Sequence, residues 1–254
     1  VEVKNAIAML LLALAAAPIA AQSVVEKTFA AGETLDYNVT WLGFTGATAR
    51  MTIAPAAGGG LRMTSIAAST SGFARVYKVR DEIESIVNAR FSTVDYRKHL
   101  DERGRIKDDR TKVDEGRMVA TRTRPGKKTQ EIRVMSPVFD PLSLVYHLRR
   151  LDLSPGKVHR FTVLADGKVY TLVATVLKRE TLQTPAGKFR CVTVEPKMQG
   201  TGLYGDDDES SLLISYSDDE FHIPVRIRSE VKVGTITATL RTIRSGVSGV
   251  EPPR

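Results

Sequence analysis

The chain has 254 residues, 42% of them hydrophobic and 26% charged, and its 37 Lys and Arg against 29 Asp and Glu leave a formal charge of +8. These proportions exclude intrinsic disorder, collagen-like repeats and a multi-pass membrane protein. The lone cysteine, Cys191, excludes an intramolecular disulfide and every multi-cysteine zinc or iron–sulfur site.

Residues 1–23 read VEVKNAIAMLLLALAAAPIAAQS: Lys4, an uninterrupted apolar run over 6–17, a break at Pro18, then the small residues Ala20, Ala21 and Ser23. A helix over that run spans about 18 Å, well short of a hydrocarbon core of about 30 Å. The pattern is that of a secretory signal peptide cut after Ala21 or Ser23. The cut has no cysteine beside it, so a lipid anchor is not expected. The expected product is a periplasmic or secreted protein with no transmembrane span: one β-rich domain over 24–246 and a flexible tail over 247–254.

Beyond the leader the chain alternates with period two. Leu35, Tyr37, Val39 and Trp41 interleave with Asp36, Asn38 and Thr40, and after Gly43 and Gly46 the pattern resumes as Ala47, Ala49, Met51 and Ile53. Such runs about a glycine turn predict an antiparallel hairpin with one buried face. Further strands are expected near 61–71, 80–89, 95–102, 117–124, 130–135, 159–165, 169–179, 189–195 and 211–217, with breakers such as Pro125-Gly126 and Asp166-Gly167 between them. A last hairpin turns at Gly234. One helix is expected over about 140–152, with Asp140 as N-cap, Pro141 at N1, an apolar stripe through Leu142, Leu144, Val145, Leu148 and Leu151, and Arg149 and Arg150 in the last turn, facing the negative end of its dipole. A short helical turn is possible over 72–77. The fold class is all-β and mainly antiparallel, a curved sheet, barrel or half-barrel with one covering helix.

Chemistry-bearing motifs are sparse. His99, His147, His159 and His222 share no metal-ligand spacing, and no nucleophile elbow, phosphate loop or dinucleotide fingerprint is present. Cys191 sits inside an apolar strand and reads as a small core hydrophobe. The acidic run 205–209 makes Asp206, Asp208 and Glu209 calcium candidates, although it lacks the spacing of an EF-hand loop. Charge is uneven: residues 97–133 hold 13 Lys or Arg against 7 Asp or Glu, and residues 204–220 hold 7 acids and no base. The basic block contains no aromatic residue, which argues against nucleic acid.

The segments AGETLDYNVTWLGFTGATARMTI, SPVFDPLSLVYHLRRLDLSPGK, FTVLADGKVYTL and IPVRIRSEVKVGTITATL resemble the bacterial family called domain of unknown function 3108. The resemblance runs from about Gly32 to Leu240 and implies an exported, β-rich protein. It brings no agreed catalytic residues and no cofactor. The expected function is non-enzymatic: binding or carrying an amphipathic or anionic envelope ligand, a lipid or lipid-linked glycan, with Tyr37, Trp41, Tyr146 and Leu148 as cavity residues. An acidic glycan would suit the same charge. The alternative is a structural module docking on another envelope protein, separable by deleting residues 103–115. A hydrolase with a non-local active site is the third reading.

Overall fold

The computed structural model describes residue 29 and residues 32–199, 211–231 and 234–244. The expected signal peptide, the calcium candidates Asp206, Asp208 and Glu209, and the tail over 247–254 lie outside the described residues.

The described residues form the strands β1 (Thr34–Trp41), β2 (Phe44–Pro55), β3 (Leu61–Ser69), β4 (Val79–Val87), β5 (Thr93–Glu102), β6 (Arg105–Asp114), β7 (Val119–Thr123) and β8 (Gln130–Arg133), the helix α1 (Pro141–Leu148), then β9 (Val158–Ala165), β10 (Lys168–Thr184), β11 (Gly187–Gln199), β12 (Leu212–Ser217), β13 (Pro224–Val231) and β14 (Gly234–Arg244). They make one sheet in the order β8-β7-β6-β5-β4-β3-β2-β1-β14-β13-β12-β11-β10-β9. Each strand pairs antiparallel with its neighbour, and the first and last strands pair with each other. The fold is therefore an all-β, curved antiparallel sheet with one helix, as the alternation predicts.

Register follows from the apolar face. Val176, Val194, Ile214, Ile227, Ala238, Val39 and Ala47 lie opposite one another across six strand pairs. A one-residue slip of any strand would turn its members of this row outward, and each buried Val or Ile is worth about 1.5–3 kcal/mol. The type I′ turns at Leu42-Gly43 and Asp166-Gly167, with φ positive at both residues, match the twist of the flanking strands.

The sheet has two edges, β8 and β9, consecutive in sequence and joined by the segment that contains α1. Backbone pairing across this seam is confined to Phe139, whose N–H donates to Thr162 O (2.9 Å) and whose carbonyl accepts from Leu164 N (2.8 Å). Side chains do the rest. Arg122 donates to Asp166 O, Lys98 pairs with the Asp166 carboxylate, and Gln130 Nε2 donates to Gly167 O at 3.0 Å. Arg122, only 8% exposed, also grips Asp109 at 2.8 and 3.0 Å.

Two expectations need correction. Residues 105–114 form a full strand, β6, absent from the expected set. Its covered inward residues are Asp109, Thr111 and Val113, so only Val113 marks an apolar face, and the Arg122–Asp109 pair supplies much of the packing. The helix ends at Leu148, one turn early. Arg150 N and Leu151 N bond to carbonyls three residues back, the tightening usual at a helix end, and Arg149 turns inward instead of complementing the dipole.

Candidate functional site

Segments distant in sequence meet beneath α1. Asp140 caps the helix: its Oδ1 accepts from Leu142 N and Ser143 N, both at 2.9 Å, and Ser143 Oγ accepts from Asp140 N at 2.9 Å. Its Oδ2 takes hydroxyl donors from Ser85 (2.5 Å) and Thr93 (2.8 Å), tying the helix start to β4 and β5. Burial pushes this carboxyl above the usual range, against the pull of those donors. At the other end, Arg149 forms a two-pronged pair with Glu33 at 2.6 and 2.8 Å, both side chains almost wholly buried. The Arg149 guanidinium lies 4.7 Å from the centre of the Phe29 ring, and its Nε donates to Phe221 O at 3.0 Å. Tyr37 Oη donates to Pro224 O at 2.8 Å, and Tyr216 Oη to Val145 O at 3.0 Å.

Of the expected cavity residues, Tyr37, Tyr146 and Leu148 come together here, each 1% exposed or less within one core cluster. Their surface is taken up by packing, so they form a lock between sheet and helix. Trp41 is elsewhere, half-buried at the β1–β2 turn against Phe73. His147 stands among Phe139, Phe91 and Phe161, with ring centroids 4.4–5.6 Å away. Burial, helped by Arg150, pulls its imidazole down to about 4.

Two accessible concave surfaces among the described residues lie outside this lock. One is a groove of about 580 Å³ at the seam, lined by Arg117, Met118, Val119, Arg133, Val134, Met135, Thr162 and Val169. Met118 is 59% exposed and Met135 70%, so two flexible thioethers face solvent over a buried Val134. Arg117 and Arg133 are exposed at the groove. Apolar lining with two guanidiniums suits a molecule with an apolar body and an anionic head, and methionine adapts to irregular shapes.

The other groove, of about 690 Å³, lies on the face of β3–β7 opposite Met63, Ser85 and Tyr96, and is lined by Glu82, Glu84, Arg97, His99, Asp108 and Arg110 among others. Its charges are largely paired with their neighbours, as in Arg110–Asp95 and His99–Asp108 (2.6 Å), the latter bond drawing the imidazole above its ordinary range. Among the described residues no group of three His, Cys, Asp or Glu could hold a metal ion. Cys191 is buried, and burial pushes its thiol up to about 12, far from thiolate chemistry. No helix among the described residues is long and apolar enough to cross a membrane.

The family model for the protein of unknown function DUF3108 matches residues 36–241. The chain belongs to this family. Among solved structures, a β-barrel-like DUF1849 protein from Brucella abortus is similar at a TM-score of 0.60 and 11% identity, over 87% of this chain and 100% of that one. That likeness supports the barrel-like fold of this DUF3108 chain. A protein with a YmcC-like fold from Bacteroides fragilis aligns at a TM-score of 0.34 and 11% identity over 85% and 97% of the two chains. A DUF1089 family protein from Pseudomonas aeruginosa aligns at 0.32 and 11% over 74% and 86%. No curated protein matches.

Sequence reasoning passed over the Glu33–Arg149 pair although both residues sit inside the segments that carry the family resemblance. The seam groove has a fainter signal, in Met118 and Met135 flanking the β7–β8 hairpin.

Proposed function

We propose that this DUF3108 protein is an exported, non-enzymatic protein that binds or carries an amphipathic, anionic envelope ligand, a lipid or lipid-linked glycan, in the seam groove. The observation that carries this reading is the lining of that groove, Met118, Val134, Met135 and Val169 bordered by Arg117 and Arg133. Its volume falls in the range of small-molecule sites. Export rests on the sequence pattern of residues 1–23.

The test is titration of the purified chain with lysophosphatidylglycerol, read by isothermal calorimetry, beside native mass spectrometry of protein taken from the cell envelope. Met135→Asp should weaken binding about tenfold by placing a charge on the apolar lining. Arg117→Ala with Arg133→Ala should weaken the anionic lipid more than its zwitterionic counterpart. Saturable binding unaltered by these substitutions, or none in wild type and no co-purifying lipid, would refute the proposal.

A second reading, docking on an envelope protein, is favoured by the paired charges of the β3–β7 groove. Deleting residues 103–115 does not separate the two readings, because it excises β6 from mid-sheet. Arg97→Glu is the better probe: it should abolish partner capture and spare lipid binding.

A further inference from the structure

α1 packs where β4 passes into β5, through the bonds of Asp140 to Ser85 and Thr93. At the opposite ends of the same strands, the β1–β2, β3–β4 and β5–β6 turns gather into a rim. Trp41 packs edge-on against Phe73 at 6.3 Å, Arg103 N donates to Lys78 O at 2.8 Å, and the Arg103 guanidinium stands 5.6 Å from the Tyr77 ring. Trp41 also lies opposite Ile236 of β14, so the rim continues onto the C-terminal half of the sheet.

This rim exposes apolar side chains that the fold does not need. Val76 is 77% exposed, Phe44 75% and Leu42 60%. Leu42 holds a φ of +49°, a conformation that a turn ordinarily assigns to Asn, Asp or Gly. Its side chain lies over Gly234, yet most of its apolar surface stays open to solvent, so burial offsets only part of the local cost of that conformation. Around these tips stand Arg75, Lys78 and Arg103, all exposed, and residues 42–43, 70–78 and 103–104 contain no carboxylate. Lys78 pairs with Asp101 of β5 at 3.8 Å.

Apolar tips, an aromatic ledge and three exposed cations, one of them facing Asp101, match the interface of an anionic membrane, where rings sit at headgroup level and basic groups meet phosphates. A protein partner would need carboxylates placed to meet these particular cations, whereas a lipid surface offers phosphates wherever they stand. We propose that this rim docks on an anionic phospholipid bilayer, with Leu42, Phe44 and Val76 entering the headgroup–acyl boundary and Arg75, Lys78 and Arg103 engaging lipid phosphates. The proposal stands apart from the seam groove: the protein docks through the rim whether or not that groove holds a lipid.

Trp41 is the only tryptophan of the chain and reports directly on the rim. The full chain is titrated with phosphatidylglycerol vesicles, with phosphatidylcholine vesicles, and with phosphatidylglycerol vesicles carrying brominated acyl chains. Docking blue-shifts Trp41 emission on phosphatidylglycerol, the brominated chains quench it, and salt weakens it. Phe44→Asp with Val76→Asp should raise the lipid concentration for half-binding at least about tenfold. Arg75→Gln, Lys78→Gln and Arg103→Gln together should remove the preference for phosphatidylglycerol and the salt dependence. All these positions are exposed, so circular dichroism of the variants should match wild type. Vesicle binding that leaves Trp41 unquenched, which an apolar N-terminal stretch alone could produce, would overturn the proposal. So would sedimentation showing that Phe44→Asp abolishes self-association of the chain while wild type ignores vesicles, since the rim would then be an interface between copies.

Discussion

His147 shows how one side chain ties this fold to pH. The imidazole is held neutral among Phe139, Phe91 and Phe161, with its value pulled from the ordinary 6.5 to about 4. A histidine depressed in the folded state contributes stability that is complete above about pH 6.5 and lost as pH falls toward 4, because the unfolded chain takes up the proton first. The loss reaches about 3 kcal/mol over that window. Urea unfolding at pH 7 and pH 4.5 should show it, and His147→Phe should flatten the change between those values. A wild-type slope that persists in His147→Phe would assign the effect to other groups. At the same scale, Glu33 and Arg149 explain why α1 cannot simply lie on the sheet: an ion pair with both members buried must be complete, since removing one partner strands the other away from water. Tyr37 and Leu148 were legible as inward-facing from their spacing, whereas Tyr146 lies outside the apolar stripe read for the helix. The pairing of Glu33 with a residue 116 positions away was not, because ion pairs leave no periodicity.

At the scale of elements, the seam is the weakest join. β8 and β9 face each other without a continuous ladder, and Arg122 spans the gap by gripping Asp109 on its own side and the Asp166 carbonyl on the other. Arg122→Ala leaves the nearly buried Asp109 carboxylate without its partner and should cost about 3–5 kcal/mol. Asp166→Asn keeps a residue suited to the positive φ of that turn and removes only a part-exposed charge facing Lys98 and Arg122, so it should cost less than about 1 kcal/mol. Hydrogen exchange should quicken in β8 and β9 of Arg122→Ala before it quickens in β1 or β14. Equal acceleration across the sheet would mean that the seam is not a separate opening unit. β6 illustrates why part of this element was hidden: strand prediction leans on an apolar face, and here a guanidinium and a carboxylate satisfy each other on the core side.

At the scale of the molecule, the pairing of β1 with β14 joins the two halves of the chain, β1–β8 and β9–β14. One apolar cluster runs through both, from Leu35, Met63 and Val87 to Val163, Val194 and Ile214. The halves should therefore unfold together. Urea transitions followed by Trp41 fluorescence, which reports on the β1–β14 junction, and by far-ultraviolet circular dichroism, which reports on the whole sheet, should coincide. Separated midpoints would mean that each half holds its own core.

Alternation alone determined that this chain is an antiparallel β-protein, where most strands turn, which faces point inward and where its helix begins, because period-two patterning and capping act over a few neighbouring residues. The family, too, was legible from distributed core and turn positions. Tertiary structure alone decided that the sheet curves until β8 meets β9 and is sealed there by side chains, that Arg149 leaves the helix end to pair with Glu33, and that the exposed apolar residues gather at a groove and a rim. Those features depend on strand tilt and on contacts between residues far apart in the chain, and a charge or a methionine carries no local mark of the partner it will meet.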